Sequence, residues 1–366
     1  MLDSRLEIRG SDLGGLALGE ADVFTEALIT KLRNHPKRIV FSDGCDARVL
    51  KVAEEMVRLE VGVPILLGPK REILAKGEEL GIDMTFVKVL EPAVASDLPL
   101  FCERLRRIQR YKGVELANAC EVVAQPHHFA SMMIQYGQAD AMVGGNLSLP
   151  AAVFRAVLHM VKPDPSVPKA FSVAVLSAPH LRHFGPAGVL YLADTGMIPD
   201  PSVEELAAIA EKTGLLARHN LGRRPRVAML SHSTLGSAGT DSARKVVAAT
   251  ELAKQRVSGI EIEIDGEIQV DVALDAAAAE IKIPGLAAKE TADVLVFPNL
   301  DAAHIAMKLL HHVAGARVYG QLILGLARPA AQVTRTVDAT SLLGTALAVG
   351  LEAVKFHELY PDGEMP

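Results

Sequence analysis

The residues best suited to chemistry include a serine-rich run, Ser231-His-Ser233-Thr234-Leu-Gly-Ser237-Ala-Gly239. It follows the apolar segment Arg226–Leu230 and precedes a helix predicted from about Asp241. Its hydroxyls and backbone N–H groups could cradle an anion, although an ordinary strand-to-helix turn reads the same way. Asp338, followed by Ala-Thr-Ser341-Leu-Leu, reads as a helix N-cap. The histidines include the close pairs His127-His128, His180-x-x-His183 and His311-His312. Adjacent histidines on a helix point in different directions, and no pair has a carboxylate at ligand spacing, so no metal site is expected. Cys45, Cys102 and Cys120 are odd in number and lack metal or Cys-x-x-Cys spacing, which reads as free thiols in a reducing compartment with no disulfide scaffold. Where a dinucleotide-binding Gly-x-Gly-x-x-Gly would follow the first strand, Ser42-Asp43-Gly-Cys45-Asp46-Ala stands instead.

The elements that must position such residues are short apolar runs alternating with helix-like segments. Arg38–Ser42, Val63–Leu67, Ala141–Val143, Ser172–Leu176, Arg226–Leu230 and Val294–Phe297 read as strands buried on both faces. Asp46–Leu59 carries Val49, Leu50, Val52, Ala53, Met56 and Val57 at helical spacing. Pro201-Ser202-Val-Glu-Glu205 is a capping box opening a helix to about Leu216. Alternating strands and helices predict an α/β fold with mostly parallel sheets, and a length of 366 residues predicts two domains. The proline-rich Lys162–Pro168 marks the exit from the first. Residues 1 to 20 are glycine-rich and weakly patterned. The longest apolar stretch, near Leu342 to Val354, is short for a bilayer span and carries Glu352, so it reads as a buried helix. Met1 to Leu16 has too many charges for a secretory signal, and a cytoplasmic protein is expected. A net charge of -6 and the absence of Trp argue against nucleic-acid binding. A small anion held by a few arginines remains open.

Several segments together resemble the phosphate acyltransferases, the phosphate acetyltransferase and phosphate butyryltransferase family, which also supplies the C-terminal half of large bacterial malic enzymes. They are Arg38–Leu50, Ala139–Gly145, Asp194–Pro201, Arg226–Thr234, Ile264–Gln269, Phe297–Ala306, and Gly320 through Arg328-Pro329 to Thr334-Arg335. They occur in family order from about residue 37 to the C-terminus. The resemblance implies two α/β/α domains like those of the isocitrate and isopropylmalate dehydrogenases, with an active-site cleft between them, in a homodimer. The first domain would comprise 1–165 plus 323–366, with residues 1–36 as an N-terminal extension, and the second 166–322. The implied reaction interconverts a short acyl-CoA, acetyl first among them, plus phosphate with an acyl phosphate plus CoA. CoA would be a substrate, with no permanently bound cofactor, metal, nucleic acid or membrane partner.

Acyl transfer between a thiol and a phosphate needs cations for the phosphate, donors for the carbonyl oxygen and a base for the thiol. By resemblance, Arg155 is the phosphate-binding arginine. Thr334 keeps the hydroxyl aimed at the acyl carbonyl, and Arg335 holds phosphate or the CoA thiolate. Ser231, Ser233, Thr234, Ser237 and His304 fall in substrate-contacting segments. Two departures weigh against full activity. An expected arginine aligns with Gln109, leaving Arg110 beside it as substitute, and the acetyltransferases' aspartate base aligns with Ser341, leaving Asp338 one turn earlier. General base catalysis supplies about 10² to 10⁴ in rate, so its loss weakens an enzyme without abolishing it. The alternative is an inactive acetyl-CoA-binding regulatory module like the malic-enzyme half, although no malic-enzyme segment precedes residue 37.

Overall fold

The computed structural model describes residues 23–112, 118–181, 184–185, 188–284 and 291–361, apart from the side chains of 23 and 109–112. Two compact units divide the chain. One comprises 1–162 with 328–364, the other 163–327. The sequence reading put the joints at 165/166 and 322/323. The weakly patterned residues 1 to 20 and the side chain of Arg110 lie outside the described residues.

In chain order the first unit contains α1 (Val23–Asn34), β1 (Lys37–Phe41), α2 (Ala47–Arg58), β2 (Gly62–Leu67), α3 (Lys70–Leu80), β3 (Lys88–Leu90), α4 (Leu98–Lys112), α5 (Ala119–Val123), α6 (Pro126–Gln135), β4 (Ala141–Gly144) and α7 (Pro150–Met160). The second contains β5 (Phe171–Ser177), β6 (Val189–Ala193), α8 (Val203–Leu221), β7 (Arg226–Leu230), α9 (Asp241–Arg256), β8 (Glu263–Ile268), α10 (Val270–Leu274), α11 (Ala276–Lys282), β9 (Val294–Val296), α12 (Leu300–His312) and β10 (Arg317–Leu324). The chain then returns to the first unit with β11 (Ala330–Gln332) and α13 (Ala339–Leu359).

The first unit is a parallel sheet of order β3-β2-β1-β4-β11. Its central strands are apolar because helices leave them no water to face. The apolar stripe of α2 buries Val49, Leu50, Val52, Ala53 and Met56, and its N-cap is Asp46, whose carboxylate accepts from the Arg48 N–H. At 21 residues α13 is long and apolar enough to cross a membrane, so length does not exclude a span; packing does. It lies against α1, α2, β1, β4 and β11 and buries residues around its whole circumference, as a core helix does. The intended extension therefore ends earlier than residue 36: α1 belongs to this packed body through α13.

The second unit has order β10-β5-β6-β9-β7-β8, with β5 antiparallel to both neighbours and the remaining pairs parallel. On one face, Leu176, Leu190, Leu192, Ala228 and Leu295 meet Val272, Ala273, Ala303 and Met307 of the helices. On these strands the alternate residues point the other way, and α8 packs against β6, β7 and β9. The capping box predicted at Ser202 is present in both directions, and α8 runs past Leu216 to a left-handed Gly222.

The cysteines correct the sequence reading. Cys102 of α4 and Cys120 of α5 form a disulfide, leaving Cys45 free. No spacing rule marks a pair set by the packing of two helices. Removing the cap with Ser202→Ala should lower the stability of the second unit by about 1 kcal/mol, seen as a lower urea midpoint at unchanged activity.

Candidate active site

The site in the first unit grows from the C-terminal ends of its parallel strands, where loops gather in open α/β sheets. Beyond β1, the Asp43 carboxylate is 7% exposed, and its Oδ2 accepts from the backbone N–H groups of Gly145 at 2.8 Å and Asn146 at 3.3 Å. The loop after β4 is thereby held against the loop after β1. Gly145 has φ +117°, and a Cβ there would fall on the Val333 carbonyl oxygen, which explains why this position cannot carry a side chain.

Arg48 joins these loops to the segment after β11. One guanidinium nitrogen donates to the carbonyls of Arg335 at 2.8 Å and Val337 at 2.7 Å, the other to the carbonyl of Asn146 at 3.1 Å. Asp46 receives the same guanidinium through both carboxylate oxygens. The hydrogen bond to Asp46 raises the Arg48 pKa, and the charges of Asp46, Asp43 and Asp338 add to it against the cost of burial. Lysine could not reproduce this planar fork.

Arg335 is exposed and Thr334 half-buried on the segment so held. Exposed Arg155 stands on α7, which packs against β11 and α6. Neither guanidinium makes a hydrogen bond or ion pair with a described residue, so both cations stand available to an anion. The histidines of α6 and α7 feel Arg155 and one another. Burial pushes His128 of α6 down to about 4, and His159, His127 and Arg155 push in the same direction. Burial likewise lowers His127, opposed by the charge of Asp43. Among the described residues no three His, Cys, Asp or Glu gather as metal ligands.

Asp338 is the N-cap of α13. Its Oδ1 accepts from the Ser341 N–H at 2.7 Å and its Oδ2 from the Ser341 hydroxyl at 2.9 Å. Ser341 is 4% exposed. The carboxylate offered as a base is thus oriented by the helix start, and the residue aligned with the family's aspartate is its hydrogen-bond donor.

In the second unit the serine-rich loop already holds an anion of its own. The Glu267 carboxylate, 2% exposed, accepts from the Ser233 hydroxyl at 2.7 Å and the Gly236 N–H at 2.8 Å. Ser233 Oγ accepts from the Ala238 N–H and Ser237 Oγ from the Thr234 N–H. Thr234 Oγ1 accepts from the Gln269 N–H, and Ser231 Oγ from the Ser233 N–H. The donors expected to cradle a ligand are largely committed to the loop itself. His304 is exposed and its Nδ1 lies 3.0 Å from the Thr195 carbonyl, a satisfied position. Asp194 is buried under N–H donors from Ser172, Gly196, Met197 and Ile198, fixing the Asp194–Pro201 turn.

The structure therefore brings Thr334, Arg335 and Asp338 together with Arg48 and Asn146 and adds Arg155 and His128 nearby through α7. It leaves the serine loop and His304 in the other unit. Sequence reasoning missed Arg48, Asn146 and Glu267. Only the first had a signal, an arginine two residues after an N-cap aspartate. The family profile described as "Phosphate acetyl/butaryl transferase" matches residues 23–349. A phosphate acetyltransferase of Acetivibrio thermocellus is 32% identical over 330 residues, 90% of this chain and 98% of the relative. The crystal structure of a phosphotransacetylase from Streptococcus pyogenes superposes with a TM-score of 0.82 at 27% identity, covering 91% of this chain and 98% of the other. A branched-chain phosphotransacylase from Enterococcus faecalis, at TM-score 0.60 and 18% identity over 87% of this chain and 99% of its own, shares the fold.

A pH prediction follows from His128. Its ring ionises near 4 in the fold and near about 6.5 in an unfolded chain, so between those values the unfolded state binds the extra proton. The stability contributed by the neutral ring is complete above about pH 6.5 and is lost as pH falls toward 4. Urea midpoints measured across this window should fall less steeply for His128→Gln than for wild type.

Proposed function

The chain belongs to the phosphate acetyl/butaryl transferase family, and we propose that within it the protein is a phosphate acetyltransferase whose phosphate is held by Arg155 and Arg335. It interconverts an acyl-CoA plus phosphate with an acyl phosphate plus CoA. The observation that carries this reading is the pair of exposed guanidinium groups without a hydrogen-bond or ion-pair partner among the described residues, one of them carried on the segment that Arg48 fastens in place. Two planar forks match phosphate oxygens, and the Thr334 hydroxyl beside Arg335 is a donor for the acyl carbonyl as charge develops on it. CoA acts as substrate. Acetyl is favoured as the acyl group because the curated relatives at about this similarity are named phosphate acetyltransferases. Nothing in the structure favours the regulatory alternative.

Proton transfer is the weak step. With Ser341 in place of the family's aspartate and Asp338 capping α13, the CoA thiol ionises to solvent, and activity is modest. A thiol of pKa about 8.5 has a few per cent thiolate at pH 7, enough for turnover. The exposed stripe Ile305, Leu309 and Val313, recurring every four residues along α12 and its C-cap, supports a homodimer built on that face.

The assay is free-thiol release from acetyl-CoA and phosphate. Release should stand above background, and its absence with acetyl, propionyl and butyryl CoA at high enzyme concentration would remove the function. In the reverse direction the rate should climb about tenfold per pH unit up to the thiol pKa. A plateau in wild type that Asp338→Asn abolishes would instead make Asp338 the base. Arg335→Ala should cost activity at every pH, since it removes charge stabilisation. Ser341→Asp alone sets two carboxylates on one helix start, so it should gain less than the double variant Asp338→Ser/Ser341→Asp, which should raise the rate at pH 7 by up to about 10². Sedimentation should give twice the chain mass, and Leu309→Asp should dissociate the dimer.

A further inference from the structure

Buried polar atoms without partners are rare in folded proteins, and each calls for an explanation. In the first unit they include Nδ1 of His127, Nδ1 of His128, both side-chain atoms of Asn146, and Oγ of Ser148. Asn146 is the sharpest case. It is 2% exposed, its backbone N–H is taken by Asp43 and its carbonyl by Arg48, yet neither Nδ2 nor Oδ1 of the amide finds a partner among the described residues.

These groups stand on loops and helices tied to the arginines of the proposed phosphate site. Arg48 holds the carbonyls of Asn146 and Arg335 on one guanidinium, so the orphaned amide and the available Arg335 belong to loops with a common anchor. On the other side, His128 feels the charge of Arg155, and His127 that of Asp43, to which the Asn146 N–H is bonded. The helices carrying the histidines and Arg155, α6 and α7, pack together. An asparagine retained only for its shape would be served as well by a leucine, with no polar atoms to leave unsatisfied.

Building on the phosphate acetyltransferase reading, we propose that Asn146 and His128 are further binding residues for the reacting phosphate, supplying neutral hydrogen-bond donors that complete the site formed by Arg155 and Arg335. Inorganic phosphate near neutral pH presents both P–O⁻ and P–OH. The Asn146 amide offers a donor for the first and an acceptor for the second, so it recognises inorganic phosphate without adding charge to a site that already holds two cations. His128 is neutral at pH 7 and contributes one N–H.

The test uses Asn146→Leu and His128→Phe in the full chain, with steady-state kinetics and melting midpoints in phosphate-free buffer with and without added inorganic phosphate. A lost hydrogen bond to a charged ligand corresponds to roughly a tenfold to hundredfold change. Asn146→Leu should raise the KM for phosphate at least tenfold and leave the KM for acetyl-CoA unchanged. Its midpoint without phosphate should equal or exceed that of wild type, because an unsatisfied amide has been removed, and added phosphate should shift it less. His128→Phe should shift the same KM in the same direction, and it serves if Asn146→Leu fails to fold. A phosphate KM within twofold of wild type, or a lower midpoint with unchanged KM, would make the amide structural and overturn the proposal. A rise in the acetyl-CoA KM alone would overturn it by assigning these donors to the phosphates of CoA. If wild type binds phosphate by midpoint shift but shows no turnover, the enzyme reading fails while the midpoints still decide the role of Asn146. No phosphate shift in wild type would overturn the site itself.

Discussion

The guanidinium of Arg48 is the point on which the first unit's site depends. The loops after β1, β4 and β11 come from positions far apart in sequence, and none has a regular hydrogen-bond ladder to hold it at the sheet's edge. Arg48 reaches the carbonyls of Asn146, Arg335 and Val337 from one side chain and is kept in place by both oxygens of Asp46. A partly buried charge of this kind is stable only because opposite charges and acceptors surround it. The fork also does its work through carbonyls, leaving the side chains of Arg335 and Asn146 without a hydrogen-bond partner among the described residues.

Buried carboxylates perform the corresponding task with backbone donors. Asp43 pins Gly145 and Asn146, Asp194 gathers the turn that follows β6, and Glu267 closes the serine-rich loop. In each case an acceptor with several lone pairs satisfies N–H groups that a loop cannot pair internally, which lets irregular backbone lie under cover of the fold. For Glu267 the same device changes the chemistry. The loop looks like an anion cradle, and its anion is part of the chain.

The start of α13 shows how two neighbouring polar residues share one helix cap. A carboxylate at 338 with a hydroxyl at 341 caps the helix well, since Asp338 accepts from both the N–H and the hydroxyl of Ser341. The resemblance implies a carboxylate at 341, one turn deeper. The exchange keeps the helix start capped, with the carboxylate at 338 held by the residue at 341.

The strands β1, β2, β4, β5, β7 and β9, the caps at Ser202 and Asp338 and the family membership were legible in the residue order, because each is a local pattern: a short apolar run, a side chain within one turn of its donors, or motifs in a characteristic sequence. Arg155, Thr334 and Arg335 were singled out by the family resemblance alone. What only the tertiary structure decided were groups whose partners lie far along the chain. Nothing within reach of Arg48 in sequence indicates that it holds residues 335 and 337, nor does spacing show that Glu267 fills the loop at 233–236 or that Cys102 meets Cys120. The orphaned amide of Asn146 is the extreme case. Sequence records that an asparagine is present, but whether its amide has a partner is a property of everything packed around it.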